Sequence, residues 1–351
     1  MITSTSAADE GGPSSFVEIA DSTLRGIGQV VLQNNPWTGL VILVGIYINS
    51  WIYGTLCLFG ALLATLTALV VGADRGAIRA GLHGFNGALV AIALDAYTSS
   101  NYTSGTIPGW QLGSLMILAI ILSVFVAMAI GKFTSLVGLP ALTSSFIVVS
   151  LVFVSGALAV PMIESTPIEA PAFANPAEAL APYTLTTLLE GSAKGVGQIF
   201  LQDNYITGAL ILVGIGLNTR IGALMALIAC VLSTAVAMGF GYPEENIHAG
   251  LYTYNGVLTA IALGGLFFVL TWRSLLFTLL AVILTFEVTA GLATILTQVG
   301  LPVYTASFVL VCWVLMAAGQ SLRTLRYVMP ADATTPEDVL AKFGDSRRRS
   351  P

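Results

Sequence analysis

Val137–Phe146 reads VGLPALTSSF, and Val299–Phe308 reads VGLPVYTASF. Both blocks sit in long apolar runs and set a threonine three residues after a Leu-Pro pair. Two further stretches recur in the same order. RGIGQVVLQNNPWT at Arg25–Thr38 returns as KGVGQIFLQDNYIT at Lys194–Thr207, and GLHGFNGALVAIAL at Gly81–Leu94 returns as GLYTYNGVLTAIAL at Gly250–Leu263. Gln198 follows Gln29 by 169 positions, Asn255 follows Asn86 by the same 169, and Thr305 follows Thr143 by 162. One short deletion therefore separates two copies of a single ancestral segment.

Composition places the copies in lipid. Of 351 residues 56% are hydrophobic and 9% charged, with a mean hydropathy of +0.88, whereas a soluble globule carries about 25% charged residues. Apolar runs of spanning length predict ten transmembrane segments: Trp37–Tyr53, Gly54–Gly72, Gly76–Leu94, Leu112–Gly131 and Leu139–Val160, then Ile206–Leu217, Ile221–Gly241, Ala249–Val269, Ser274–Leu296 and Leu301–Gly319. The break at Asn49–Gly54 divides the first two. Cys57, Cys230 and Cys312 lie inside such runs without metal-ligand spacing, as buried thiols do. The polar first fifteen residues lack the apolar core of a cleavable signal.

Five spans per copy is an odd number, so the second copy enters the membrane from the opposite side and the repeats are inverted. The predicted fold is an all-α integral membrane protein of two inverted repeats, each with five transmembrane helices and one re-entrant half-helix. Its parts are a polar N-terminal tail (1–22), a first repeat (23–160), an extracytoplasmic linker rich in Pro, Ala and Glu (161–190), a second repeat (191–320) and a basic tail (321–351). With both termini cytoplasmic, all of the thirteen Lys and Arg residues except Lys194 fall inside, as the positive-inside rule requires of a plasma or inner membrane protein. Gly26–Asn35 and Gly195–Asn204 are too short and polar to cross, and are expected to be the half-helices lining a path between the repeats.

These blocks resemble the signatures of the urea transporter family, over nearly all of Arg25–Gly319. The resemblance implies a trimer of ten-span protomers in membrane lipid, each with its own pore passing urea down its gradient without ion coupling. One departure is duplicated: the family motif LPxxTxPF has Ser145 and Ser307 in place of its second proline. Serine restores a backbone donor and relaxes the helix break expected there.

The residues carry suitable chemistry by themselves. Urea is planar, neutral and strongly hydrated, and stripping its water unpaired costs several kcal/mol. Leu139–Pro140 and Leu301–Pro302 leave carbonyls without a helical partner, and Thr143 and Thr305 add a hydroxyl about one turn further on. Inversion brings the two threonines together near the midplane, with Gln29 and Gln198 nearer the mouths. Phe85 with Leu89, and Tyr254 with Leu258, share one helical face each. Leu32 and Leu201 follow the glutamines by three. The resemblance matches these six positions to the apolar slot around urea, although Leu32 and Leu201 are aliphatic and Tyr254 carries a hydroxyl where Phe is usual.

Asn86 and Asn255 are expected to hold neighbouring backbone, and His83 and His248 do not correspond between the copies. Glu287 reads as the one acid deep in a span and leaves open an ion-coupled transporter. A channel for ammonia, water or short amides is the nearer alternative. No convergent nucleophile, base or metal ligands suggest an enzyme, and no cofactor is implied.

Overall fold

Asn35 and Asn204 open the first long helix of each copy. The Asn35 carboxamide accepts from Trp37 and Thr38 N–H at 2.8 and 3.2 Å, and Asn204 accepts from Thr207 N–H at 3.0 Å, satisfying donors that a helix start leaves orphaned. In the computed structural model, which describes residues 15–99, 101, 103–160 and 182–344, the first copy forms α1 (Phe16–Gln29), α2 (Pro36–Asn49), α3 (Trp51–Val70), α4 (Arg75–Arg79), α5 (Gly84–Thr98), α6 (Trp110–Ser135) and α7 (Ser144–Leu158). The second forms α8 (Leu185–Gly197), α9 (Tyr205–Asn218), α10 (Arg220–Gly239), α11 (Glu244–His248), α12 (Tyr254–Ile261), α13 (Trp272–Leu296) and α14 (Ala306–Gln320), with α15 (Pro336–Gly344) beyond it. The described residues are helical apart from turns and one isolated bridge.

Several boundaries differ from expectation. Helix does not run over Gly26–Asn35: it begins at Phe16, inside the stretch assigned to the polar tail, and stops at Gln29. A reverse turn follows, with Leu32 at φ 62° and Gln33 N–H on the Gly28 carbonyl at 3.0 Å. The second copy does the same after Gln198–Phe200, with Leu201 at φ 58°, and its helix begins at Leu185 within the assigned linker. There Leu185–Phe200 and Tyr205–Asn218 meet at 73°. Polar termination at Gln29 and Gln198, and the Asn-capped restart, decide these bends more than hydropathy does. Residues 1–14, 161–181 and 345–351 of the assigned tails and linker lie outside the described residues.

The third and fifth apolar runs of each copy are also interrupted. Gly76–Leu94 contains α4, a turn and α5, and Leu139–Val160 is helical only from Ser144; Ala249–Val269 and Leu301–Gly319 repeat the pattern. Gly81 and Gly250 make the turns possible. They adopt φ 72° and 77°, and a Cβ on either would collide with backbone of Gly26 or Gly195, so only glycine allows the α1 and α8 backbones so close.

Among the described residues, four helices, α3, α6, α10 and α13 with its short extension, are long and apolar enough to cross a membrane alone. Every residue of α5 but Tyr97 is buried, and α12 is buried nearly throughout, as expected of helices apolar on all sides. Those two form the centre. α6 and α13 are the least buried of the long helices and face outward.

Candidate functional site

Two non-helical segments converge on the centre. Leu142 and Tyr304 take φ of 51° and 48°, uncommon for residues with a Cβ, and each turns its chain into the start of α7 or α14. Thr143 and Thr305 occupy the N-cap positions with nearly equal dihedrals, φ −89° ψ 19° and φ −92° ψ 20°, and neither caps its own helix. Their hydroxyls are instead 2.7 Å apart and almost wholly buried. Asn86 accepts from Phe146 N–H at 3.1 Å and Asn255 from Phe308 N–H at 3.3 Å; these side chains supply the caps that the threonines do not.

The leucine-proline pairs therefore do not break a helix. They lie ahead of it, and their carbonyls lack helical partners because the segment is not helical. Other groups take some of those carbonyls. Trp313 Nε1–H donates to the Pro140 carbonyl at 2.8 Å. The Tyr304 carbonyl accepts from Tyr254 Oη at 2.7 Å and Asn255 Nδ2 at 3.1 Å.

Gln29 Nε2 donates to the Ala80 carbonyl and Gln198 Nε2 to the Ala249 carbonyl, each at 2.9 Å. These carbonyls close α4 and α11, so each glutamine ties a bend to the turn beside it. Gln33 and Gln202, four residues on in the same repeated block, are locks between copies. Asn218 donates to Gln33 Oε1 and Asn49 to Gln202 Oε1, both at 2.8 Å, while Thr38 and Thr207 donate to the Gly214 and Gly45 carbonyls at 2.7 and 2.8 Å.

Gln198, Leu201, Tyr254 and Thr305 line a cavity of about 30 Å³, together with Tyr97, Phe146, Tyr304, Ile199 and Leu251. That exceeds the roughly 10–15 Å³ that seats one water. Tyr304 is edge-on to Tyr97, with centroids 5.4 Å apart, and tilted 59° against Phe146 at 4.9 Å. Gln29, Leu32 and Phe85 do not line this cavity. Leu89, Leu258 and Leu139 are buried in the core, Pro302 is buried and Leu301 and Pro140 half-buried. Sequence reading missed Tyr97, Phe146, Leu142 and Tyr304; the last three lie inside the two quoted blocks, and only backbone conformation marks Leu142 and Tyr304.

Glu287 is exposed on the outer side of α13. Among the described residues the acid buried in the bundle is Asp95, near the end of α5, which is inaccessible to solvent and accepts from Thr106 N–H at 3.1 Å. Lys194, the exception to the basic pattern, lies 3.0 Å from Asp203 across the second bend. At the first bend Arg25 pairs with Asp21 at 2.5 Å and donates to the Asn34 carbonyl at 3.0 Å.

The urea transporter family profile matches residues 20–320, the span that holds both bends and both Leu-Pro loops. The chain belongs to the urea transporter family. Relatives carrying the name urea transporter 1 include proteins from Ovis aries and Capra hircus, each 32% identical over 337 residues, which is 95% of this chain and 86% of the relative. The Mus musculus protein is 32% identical over 296 residues, 84% of this chain and 75% of that one. This urea transporter is thus a multi-pass membrane protein and a transporter, not an enzyme.

Proposed function

We propose that the chain passes urea across the membrane passively, through one slot-shaped pore in each protomer between two inverted repeats, and that protomers assemble as homotrimers in membrane lipid. The observation that carries this reading is the 2.7 Å contact of Thr143 and Thr305, approached from one side by Gln198, Leu201 and Tyr254. Gln29, Leu32 and Phe85 supply the corresponding approach from the other. A neutral solute reaching the threonines exchanges their mutual hydrogen bond for bonds of its own, so its lost hydration is compensated step by step. Gln29 and Gln198, whose Nε2 atoms are committed to backbone, offer Oε1 as acceptors to urea N–H groups.

Leu139, Pro140, Leu301 and Pro302 shape the two loops, and Leu89 and Leu258 back the walls under Phe85 and Tyr254. Apolar walls strengthen polar contacts with a small dry solute and oppose hydrated ions. The distribution of basic residues supports cytoplasmic termini in a plasma or inner membrane.

The exposed position of Glu287 argues against its use in coupling, because an acid that couples transport must face the solute's path. The decisive experiment is stopped-flow light scattering of proteoliposomes in urea, formamide, ammonia and sucrose-only gradients. Rapid, saturation-resistant urea flux with little response to sucrose supports the channel. Urea flux no faster than in protein-free liposomes sinks it.

A further inference from the structure

The chain does not trail away after α14. Residues 321–344 fold back across the end of the bundle and are fastened there by several unrelated interactions. Phe268 and Tyr327 form an antiparallel bridge, with Val269 N–H on the Arg326 carbonyl at 3.0 Å and Val328 N–H on the Phe267 carbonyl at 2.9 Å. Val269, Val328 and Val339 make a small buried cluster. On α15, the Glu337 carboxylate accepts from Thr219 Oγ1 at 2.5 Å and Ile221 N–H at 3.0 Å, capping the first turn of α10 from another element. A segment read from its charges as a basic tail is thus a docked strap.

The strap reaches the acceptor loop of the first copy. Tyr327 Oη donates to the Gly138 carbonyl at 2.7 Å, and Gln320 Nε2, at the end of α14, donates to the Val137 carbonyl at 3.1 Å. Gly138 has φ 69°, so the chain reverses there before entering Leu139–Thr143. Peptide units are planar, and fixing the carbonyls of residues 137 and 138 fixes the planes that aim the next residues. Trp313 fixes the Pro140 carbonyl. Two of these donors are not repeated: Leu158 and Leu151 stand at the positions that correspond to Gln320 and Trp313, 162 residues earlier.

We infer that Tyr327 and Gln320 are positioning residues, through which the docked C-terminal strap sets the backbone of the Leu139–Thr143 loop and hence the solute discrimination of that half of the path. The inference rests on the pore reading above. An irregular segment at membrane depth needs partners for its carbonyls, and here Tyr327 of the strap and Gln320 at the end of α14 provide them for the first copy's loop. Discrimination by this loop therefore depends on strap docking.

The test compares Tyr327→Phe, Gln320→Leu, the double variant and Thr143→Val in proteoliposomes, reading the methylurea-to-urea permeability ratio, together with amide hydrogen exchange over residues 137–144. Tyr327→Phe keeps the ring that packs on Phe268 at 5.5 Å, so it removes the tie and spares the fold. The ratio is expected to change about two- to fivefold, the equivalent of one lost hydrogen bond, further in the double variant, with faster exchange in 137–144. An unchanged ratio beside slowed urea flux in Thr143→Val overturns the strap's role and leaves the pore reading standing. Unchanged flux in Thr143→Val removes the pore reading itself; exchange then decides alone, faster exchange in Tyr327→Phe retaining the positioning tie and wild-type exchange eliminating it.

Discussion

Thr143 and Thr305 lie 162 residues apart in sequence and share a hydrogen bond of 2.7 Å between their side-chain oxygens. Each sits at the start of a helix that it does not cap, because Asn86 and Asn255 supply the acceptors for Phe146 and Phe308 N–H. The hydroxyls are thereby released to face one another across the interface of the two copies.

Removing one hydroxyl leaves the other with its bond unmade. Thr143→Val and Thr305→Val are each expected to slow urea flux roughly two- to twelvefold, the rate equivalent of about 0.5–1.5 kcal/mol. The double variant should cost less than the product of the singles, because the two groups share one bond. Stopped-flow urea permeability per protomer measures this, and wild-type rates in both singles would take the threonines off the path.

Tyr254 differs from Phe85, its counterpart, by a hydroxyl donated to the Tyr304 carbonyl at 2.7 Å. Tyr254→Phe frees one acceptor position of that carbonyl, Asn255 Nδ2 keeping the other at 3.1 Å, and should raise urea permeability about twofold. Tyr254→Ala removes a wall of the cavity and Phe85→Ala a wall of the proposed path beyond it, and both should favour methylurea over urea. If all three keep the wild-type permeability ratio and rate, these side chains pack the bundle only.

The serines that stand in place of the family proline do not loosen a helix break. Ser145 is the second residue of α7, and its hydroxyl donates to the Ser123 carbonyl of α6 at 2.6 Å; Ser307 accepts from Thr289 of α13 at 2.8 Å. Proline fits the first helical turn, so Ser145→Pro and Ser307→Pro should preserve the fold but lower stability by about 1 kcal/mol each. Thermal unfolding in detergent, with unchanged urea flux at low temperature, is the expected result.

Coupling through Glu287 would require proton or charge movement. Since that side chain is exposed on α13, Glu287→Gln is expected to leave urea flux independent of pH and membrane potential, as in wild type. Uphill urea accumulation driven by a pH step, lost in the variant, would establish a coupled transporter instead.

Strap docking has its own pH signature. Burial pushes the Glu337 carboxyl up, but hydrogen bonds from the Thr219 hydroxyl and from backbone, Ile221 among them, outweigh it and hold the group below its ordinary value. A depressed value in the docked state means that the contribution is complete above the ordinary glutamate range and is lost as pH falls through the lower, docked value. Hydrogen exchange of residues 321–344 should therefore accelerate only in acid. Glu337→Gln should remove that step.

Sequence alone determined that the chain is apolar, duplicated and all-helical, and it singled out the paired threonines, because hydropathy, repeated spacing and residue chemistry are local properties that need no coordinates. The ends of the first helices were misplaced, since a helix through Phe16–Gln29 owes its start to the capping Ser15 and its end to a turn locked by Gln33, and neither registers as hydropathy. Tertiary structure alone decided which acid is buried: Glu287 stands in a more continuous apolar run than Asp95, yet α13 turns it outward and the loop at Thr106 encloses Asp95. It also decided that Pro140 and Pro302 precede their helices, and that residues 321–344 form a strap. Burial and hydrogen-bond partners are set by elements distant in sequence, and in lipid, where each unpaired backbone group costs several kcal/mol, those distant partners fix the irregular segments on which the proposed site is built.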